Sequence, residues 1–295
     1  MNGATSLLLL YVVNSLWQVP VILLGAWMAA RWLRPIGPAA EHRVWVAALM
    51  LEGTVPALSM LPLERVYSAW PWHAQAAVTA TGNVAVVMGV GTAFAALRIP
   101  AAIAAMLVTG YLAVTGYCAI RFVWHWVRLG RLRRGADPLV PGSDAPIDWE
   151  RWMHRLEDSG IELASSGEIF APVTLGVVAK RVLLPWGLMR SLTPGDLDTA
   201  IAHELAHIRR NDFAKNLAYE LIALPVSYHP GVWLARQRMM ETREMICDAM
   251  AAGSAEITPT QNRCCGSRRC CCRASRCAFR MPLAFSIRTH WRGDL

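Results

Sequence analysis

The sequence predicts an α-helical membrane region of three transmembrane helices followed by an α+β globular domain, and three observations carry that prediction. The chain is 55% apolar and only 17% charged, with a mean hydropathy of +0.31, which is too hydrophobic for an ordinary soluble domain. The apolar residues concentrate in long uncharged runs before Arg121, whereas from Gly135 onward short apolar stretches alternate with Pro, Gly and charged residues. Within that second part lies a ligand-like spacing of histidines on a helix-forming background.

Residues 1–30 carry no charged side chain, and Ala4 to Leu33 is long enough to cross a bilayer, with Trp17 and Trp32 suited to its interfaces. No basic segment precedes the run, which favours a retained span over a signal peptide. Arg31, Arg34 and Arg43 follow, and Val44 to Leu63 is a second span with one acid, Glu52, to which no role is assigned. Ile99 to Ile120 is a third uncharged run, followed by Arg121, Arg128, Arg131, Arg133 and Arg134. Both basic segments belong on the cytoplasmic side, which requires an even number of crossings between them, and spans two and three supply it. Residues 64–98 therefore read as an external loop, re-entrant or interfacial. The expectation is a multi-pass protein of the inner (cytoplasmic) membrane: a transmembrane region 1–134, with spans at about 4–33, 44–63 and 99–120, its N-terminus outside and the following domain in the cytoplasm.

The second domain, 135–255, begins after the connector DPLVPGSDAP. Asp148 is placed to cap a short helix, DWERWMHRLEDSG, with Trp149, Trp152 and Leu156 on one packing face and Gly160 at its end. Ile161 to Ser165, Pro172 to Val178 and Arg181 to Leu184 read as short strands, so a small sheet precedes the next helix. An exposed edge of such a sheet can take up an extended peptide by strand addition.

That next helix spans Thr193 to Asp212, TPGDLDTAIAHELAHIRRND. Thr193 suits the N-cap, Pro194 the first helical position and Asp196 stands near the reciprocal place of a capping box. Ile201, Leu205 and Ile208 recur at core-facing spacing. His203, Glu204 and His207 spell H-E-x-x-H, which sets two imidazoles on one helix face, close enough to hold one Zn2+. Glu204, beside His203, is the base that takes a proton from an attacking water and not a ligand. One helix supplies two ligands, so a third comes from elsewhere. Arg236 to Ala252 is another helix-forming run, in which Glu244 and Asp248 fall four apart; Glu244 is assigned as the third ligand and Asp248 as the carboxylate that orients a histidine ring. Carboxylates among arginines more often form a solvated face. The assignment therefore depends on the histidine motif. Between the two helices Phe213 to Leu234 is apolar and broken by Pro225 and Pro230; since both helices must meet at one metal, a single complete crossing there is excluded. Tyr228 and His229 are left without a role.

HELAHIRRND, then SYHPGVW, then TREMICDAMA resembles the zinc-metallopeptidase domain of the BlaR/MecR-type membrane antirepressors, and APVTLGVVAKRVLLP resembles that family's strand region. The likeness runs from about residue 5 to about 255. Its E-x-x-x-D frame matches Glu244 and Asp248. The resemblance implies an α+β zinc-metallopeptidase domain acting in regulatory proteolysis and signal transduction, on a transcriptional repressor or on the chain itself. Members that sense β-lactams carry a further span and an external penicillin-binding domain; neither is found in this sequence, nor is an S-x-x-K motif. A separate sensor protein or self-association would then supply the signal.

The tail 256–295 differs in kind. Six of the 8 cysteines lie between Cys264 and Cys277, and eight arginines face only Glu256 and Asp294. Its CC and CCC runs lack the paired spacing of structural zinc sites. With 27 Arg and 2 Lys in the whole chain, a GC-rich coding sequence read out of frame is the expected origin, leaving the tail frameshifted or disordered. An intact reading frame on resequencing would overturn this. The net charge of +8 lies largely in this tail and the juxtamembrane segments, where anionic lipid explains it without direct nucleic-acid binding. Two functions follow as expectations. The first is a membrane zinc endopeptidase acting on a protein or peptide substrate; the alternative is a non-catalytic signalling or scaffold relative.

Overall fold

The computed structural model describes residues 3–58, 73–78, 83–90, 93–142 and 147–254, and the Cys/Arg-rich tail lies outside them. Helix α1 (Gly3–Leu33) leads through a 3-10 turn at Arg34–Ile36 into α2 (Pro38–Leu58). Strands β1 (His73–Val78), β2 (Asn83–Val90) and β3 (Ala93–Pro100) form an antiparallel sheet. These strands fall within the stretch 64–98 expected as an external loop, of which 64–72, 79–82 and 91–92 lie outside the described residues. Val84, Val86, Val87 and Val90 give β2 the β-branched content of a strand and no helix-length apolar run.

Helix α3 (Ala101–Arg134) begins after Pro100 and continues without a break through the basic cluster that follows the expected third span. Arg131, Arg133 and Arg134 thus occupy its last turn, where the carbonyl ends of the helix favour cations. Two helical segments among the described residues, Thr5–Ile36 and Ala101–Arg134, are long and apolar enough to cross a bilayer. The expected second span falls on α2, which does not meet that criterion: it carries Glu41, His42, Arg43 and Glu52, and residues 59–63 are not described.

The remaining elements are β4 (Asp137–Pro138), α4 (Trp149–Ser159), β5 (Ile161–Ser166), β6 (Val173–Leu175), β7 (Lys180–Pro185), α5 (Trp186–Ser191), α6 (Pro194–Arg209), α7 (Asp212–Ala223) and α8 (Pro230–Ser254). A 3-10 turn at Leu224–Val226 stands between α7 and α8, where the Pro225 and Pro230 breaks are expected. The chain clusters into two compact units, Met1–Phe122 with Ala218–Arg243, and Val123–Leu217 with Glu244–Leu295, a partition different from a single cut at residue 134.

In the first unit α1 packs on α2 around Tyr11, Val19, Trp45 and Leu49, joined by Val226, Val232 and Met239. Gly53 is required there, because a Cβ on it would lie 2.6 Å from Ile222 Cγ2 and 2.7 Å from the Ile222 carbonyl oxygen. The His42 Nδ1 lies 3.1 Å from Thr242 Oγ1, tying α2 to α8. Tyr228 also belongs to this unit: its hydroxyl meets that of Ser15 and its ring packs edge-on against Tyr111.

In the second unit the sheet order is β4-β5-β7-β6, with β5 and β7 parallel and the other two pairs antiparallel. The strand ranges follow the sequence expectation closely; β4, inside the connector, and α5 do not appear in it. Ile161, Leu163, Val182 and Leu184 present one sheet face to Leu197, Ile201, Leu205 and Ile208 of α6 and to Trp152 and Leu156 of α4. Burying each such aliphatic side chain contributes about 1.5–3 kcal/mol. Asp148 caps α4 by accepting from Arg151 N, and Gly160 ends it with φ 59, a left-handed value that glycine adopts freely. Trp152 Nε1 donates to Asp198 Oδ1 at 2.7 Å, fixing α4 to the helix that carries the histidines.

Candidate metal centre

Helix α6 starts where its residues dictate. Thr193 Oγ1 accepts from Asp196 N at 3.3 Å and donates to Asp196 Oδ2 at 2.7 Å, while Pro194, which has no N–H to satisfy, takes the first helical position. With Leu197, Ile201, Leu205 and Ile208 buried on the sheet, the i, i+4 spacing turns His203 and His207 together on another face. Their Nε2 atoms lie 3.2 Å apart.

Glu244 of α8 brings Oε2 to 3.6 Å from His203 Nε2 and 3.7 Å from His207 Nε2. A point about 2.0 Å from all three atoms follows from these separations, within the usual Zn–N and Zn–O range of about 2.0–2.2 Å. The donor set fits zinc in number, type and spacing. One turn further along α8, Asp248 Oδ1 meets His203 Nδ1 at 3.0 Å. The four residues expected to form the ligand and orienting set are therefore brought together.

His207 has a carboxylate of its own. Asp212 Oδ2 lies 2.9 Å from His207 Nδ1, and both Asp212 oxygens accept from Arg210 Nε at 3.2 Å. The buried Cys247 thiol completes this contact, 3.3 Å from His207 Nδ1 and 3.5 Å from Asp212 Oδ2. Each Nδ1 thus has a carboxylate partner, and both Nε2 atoms face Glu244.

Glu204 is 8% exposed, and its Oε2 accepts from Thr174 Oγ1 at 2.7 Å. The same hydroxyl lies 3.2 Å from the Glu204 carbonyl oxygen, so β6 is tied to α6 at this residue. Glu204, Asp212, Glu244 and Asp248 bring four carboxylates to two imidazoles, with Arg210 offsetting one. Without a cation, protons take its place. Burial alone would depress His203, yet Asp248, Glu244 and Glu204 outweigh it and push it up to about 9. Burial likewise opposes the charge on His207, but Asp212, Cys247, Glu244 and Glu204 push it up to about 12. Burial raises the Cys247 thiol above its ordinary value, against the pull of His207.

Asp212, Thr174 and Cys247 were not singled out in the sequence. Asp212 closes the quoted segment HELAHIRRND, and an Asn-Asp pair just past a helix end signals a backbone turn able to fold a carboxylate back. Thr174 carries no sequence signal, because only the pairing of β6 beside α6 brings it to Glu204.

Comparison with known proteins adds a consistent result. The family described as BlaR1 peptidase M56 matches residues 6–256 of this chain. The methicillin resistance mecR1 proteins of Staphylococcus aureus and Staphylococcus epidermidis are each 24% identical over 88 residues, covering 30% of this chain and 15% of each relative. The similarity thus spans a small part of those relatives' length.

Proposed function

The chain belongs to the BlaR1 peptidase M56 family, and from that premise we propose that it is an integral-membrane zinc endopeptidase that hydrolyses a peptide bond of a protein substrate on the cytoplasmic side. The observation that carries this reading is the convergence of His203 Nε2, His207 Nε2 and Glu244 Oε2, with Glu204 on the same helix. These three residues would hold the metal, which when bound supplies Lewis acidity toward a water and the scissile carbonyl. Asp248 and Asp212 hold the two rings in the tautomer that leaves Nε2 free to bind. Glu204, fixed by Thr174, takes the proton of the attacking water and returns it to the departing amine. The outer side of β6 has no strand partner among the described residues, so an extended substrate pairs there, next to Thr174 and Glu204.

The topology belongs to the same proposal. Arg31, Arg34 and Arg43 on one side, and Arg121 to Arg134 on the other, both favour the cytoplasm, which supports three crossings through α1, α2 and α3 with the N-terminus outside. A transcriptional repressor, or the chain itself, is the substrate this reading favours, in keeping with the resistance function named for the mecR1 relatives.

The test compares detergent-purified wild type with Glu204→Ala for zinc content and for cleavage of a co-expressed candidate repressor. About one zinc in both, with cleavage in the wild type alone and a loss of at least about a hundredfold in the variant, is expected. Zinc in both with no cleavage of any candidate or of the chain itself supports the non-catalytic alternative, and no zinc in either rules out the metal centre.

A further inference from the structure

The last turns of α3 and strand β7 border an open cleft of about 640 Å³ lined by Trp126, Val127, Gly130, Arg133, Arg134 and Arg181. None of these residues belongs to the metal centre. Trp126, Gly130, Arg133 and Arg134 recur on one stripe of the helix, and Gly130 forms a floor above which an added Cβ would meet nothing within 4 Å. The lining is ordered along the helix: Trp126 and Val127, exposed apolar side chains, form the end nearer the apolar run, and guanidinium groups form the other. Arg181 is fixed in place, donating from Nη1 to the Arg133 carbonyl oxygen at 2.9 Å and from Nε to Glu162 Oε2 at 2.9 Å. Glu162 offsets one of the three cations. Arg133 and Arg134 keep the cleft basic.

Charge at one end and apolar surface at the other, arranged along a helix apolar enough to cross a bilayer, match one class of molecule: a lipid with an anionic headgroup. We propose that this cleft seats one anionic phospholipid of the cytoplasmic leaflet, its phosphate against Arg133, Arg134 and Arg181 and its acyl chain along Trp126 and Val127. Such a seat fixes the β6–β7 hairpin, and with it the strand that meets Glu204, to the membrane surface. The proposal rests on the membrane reading of α3.

The test uses the full chain, extracted in mild detergent and titrated with phosphatidylglycerol or phosphatidylcholine under native mass spectrometry. The wild type retains one phosphatidylglycerol in preference to phosphatidylcholine. Gly130→Leu, which fills the cleft, and the double variant Arg133→Gln with Arg134→Gln each lose that preference by about tenfold while zinc content is unchanged. Equal retention of the two lipids by the wild type, or undiminished preference in both variants, overturns the proposal. So does displacement of the lipid by millimolar inorganic phosphate alone, which would mark a free-anion site. Carbonate extraction separates the two levels: release of the chain from membranes sinks the membrane reading and the proposal with it, whereas a retained chain without lipid preference sinks the proposal only.

Discussion

Replacing Asp212 by Asn tests whether the buried carboxylate beside His207 sets the metal affinity. Asp212 is 5% exposed and accepts from His207 Nδ1 at 2.9 Å and from Arg210 Nε at 3.2 Å to each oxygen. Asn keeps the shape but removes the charge and half the acceptors. With its carbonyl toward His207, its amide N–H groups face the Arg210 donor; turned over, it holds the ring in the tautomer that protonates Nε2, the atom that must bind zinc. Partners of this kind are worth about 10–100-fold in metal affinity, roughly 1.4–2.7 kcal/mol. Asp248 makes a contact of similar length with His203, 3.0 Å, but its side chain is 52% exposed. Water replaces much of what Asp248→Asn removes, so its effect falls at or below about threefold by the same reasoning. Zinc affinity measured by competition with a chromophoric chelator, with thermal unfolding as a control for folding, ranks the two. A zinc affinity for Asp212→Asn within about twofold of wild type, or a larger loss for Asp248→Asn, refutes the assignment of Asp212.

Three further outcomes are expected. Thr174→Val removes the donor to Glu204 Oε2 at nearly constant volume, so cleavage falls by about tenfold while zinc stoichiometry holds. Asn211 has φ 54 in the turn that presents Asp212. Asn211→Gly should therefore leave zinc affinity unchanged, whereas Asn211→Val, strained by about 1–2 kcal/mol in that region, weakens it in the competition assay. In the metal-free protein the surrounding carboxylates raise both rings above the ordinary histidine value, His203 to about 9 and His207 to about 12. Zinc binding then releases protons at about pH 7.5, and its apparent affinity rises with pH; calorimetry in buffers of different ionisation enthalpy reads the protons directly. The same raised values stabilise the metal-free fold fully below the ordinary histidine value of 6.5, and His203's share is lost as pH rises through about 9.

Where local chemistry decides, the chain can be read in advance. Thr193, Pro194 and Asp196 start α6 at its observed residue, Asp148 and Gly160 bound α4, and the H-E-x-x-H spacing places both imidazoles, because each depends on neighbours within one helical turn. Glu244 and Asp248 were legible as a pair four apart, but their meeting with His203 and His207 rests on tertiary packing. The strands β1 to β3 were missed because an uncharged stretch rich in Val, Ala and Gly suits a loop, an interfacial segment or a two-sided sheet equally well. The second span, Val44 to Leu63, was read from its apolar content with Glu52 as its one acid, and the fold buries Glu52. The return of residues 218–243 to the first unit is invisible in any linear partition, since Val226, Val232 and Met239 read only as apolar residues until α1 and α2 pack against them.

The break between α6 and α7 then takes on a chemical meaning. Each imidazole needs a carboxylate on Nδ1 if both Nε2 atoms are to face one metal. For His203, α8 supplies it one turn beyond Glu244, so the proposed ligand and the orienting group arrive together on one helix face. For His207 that face is already used, and α6 ends at Arg209. The chain turns through left-handed Asn211 and restarts as α7 at Asp212, which folds a buried carboxylate back onto the ring. The two rings, adjacent on one helix, are thus held differently: His203 by Asp248 of α8, and His207 by the turn through Asn211, with Cys247 of α8 against the same Nδ1. Displacing α8 would remove Glu244 and Asp248 together and take Cys247 from His207, leaving Asp212 as the partner of that ring's Nδ1.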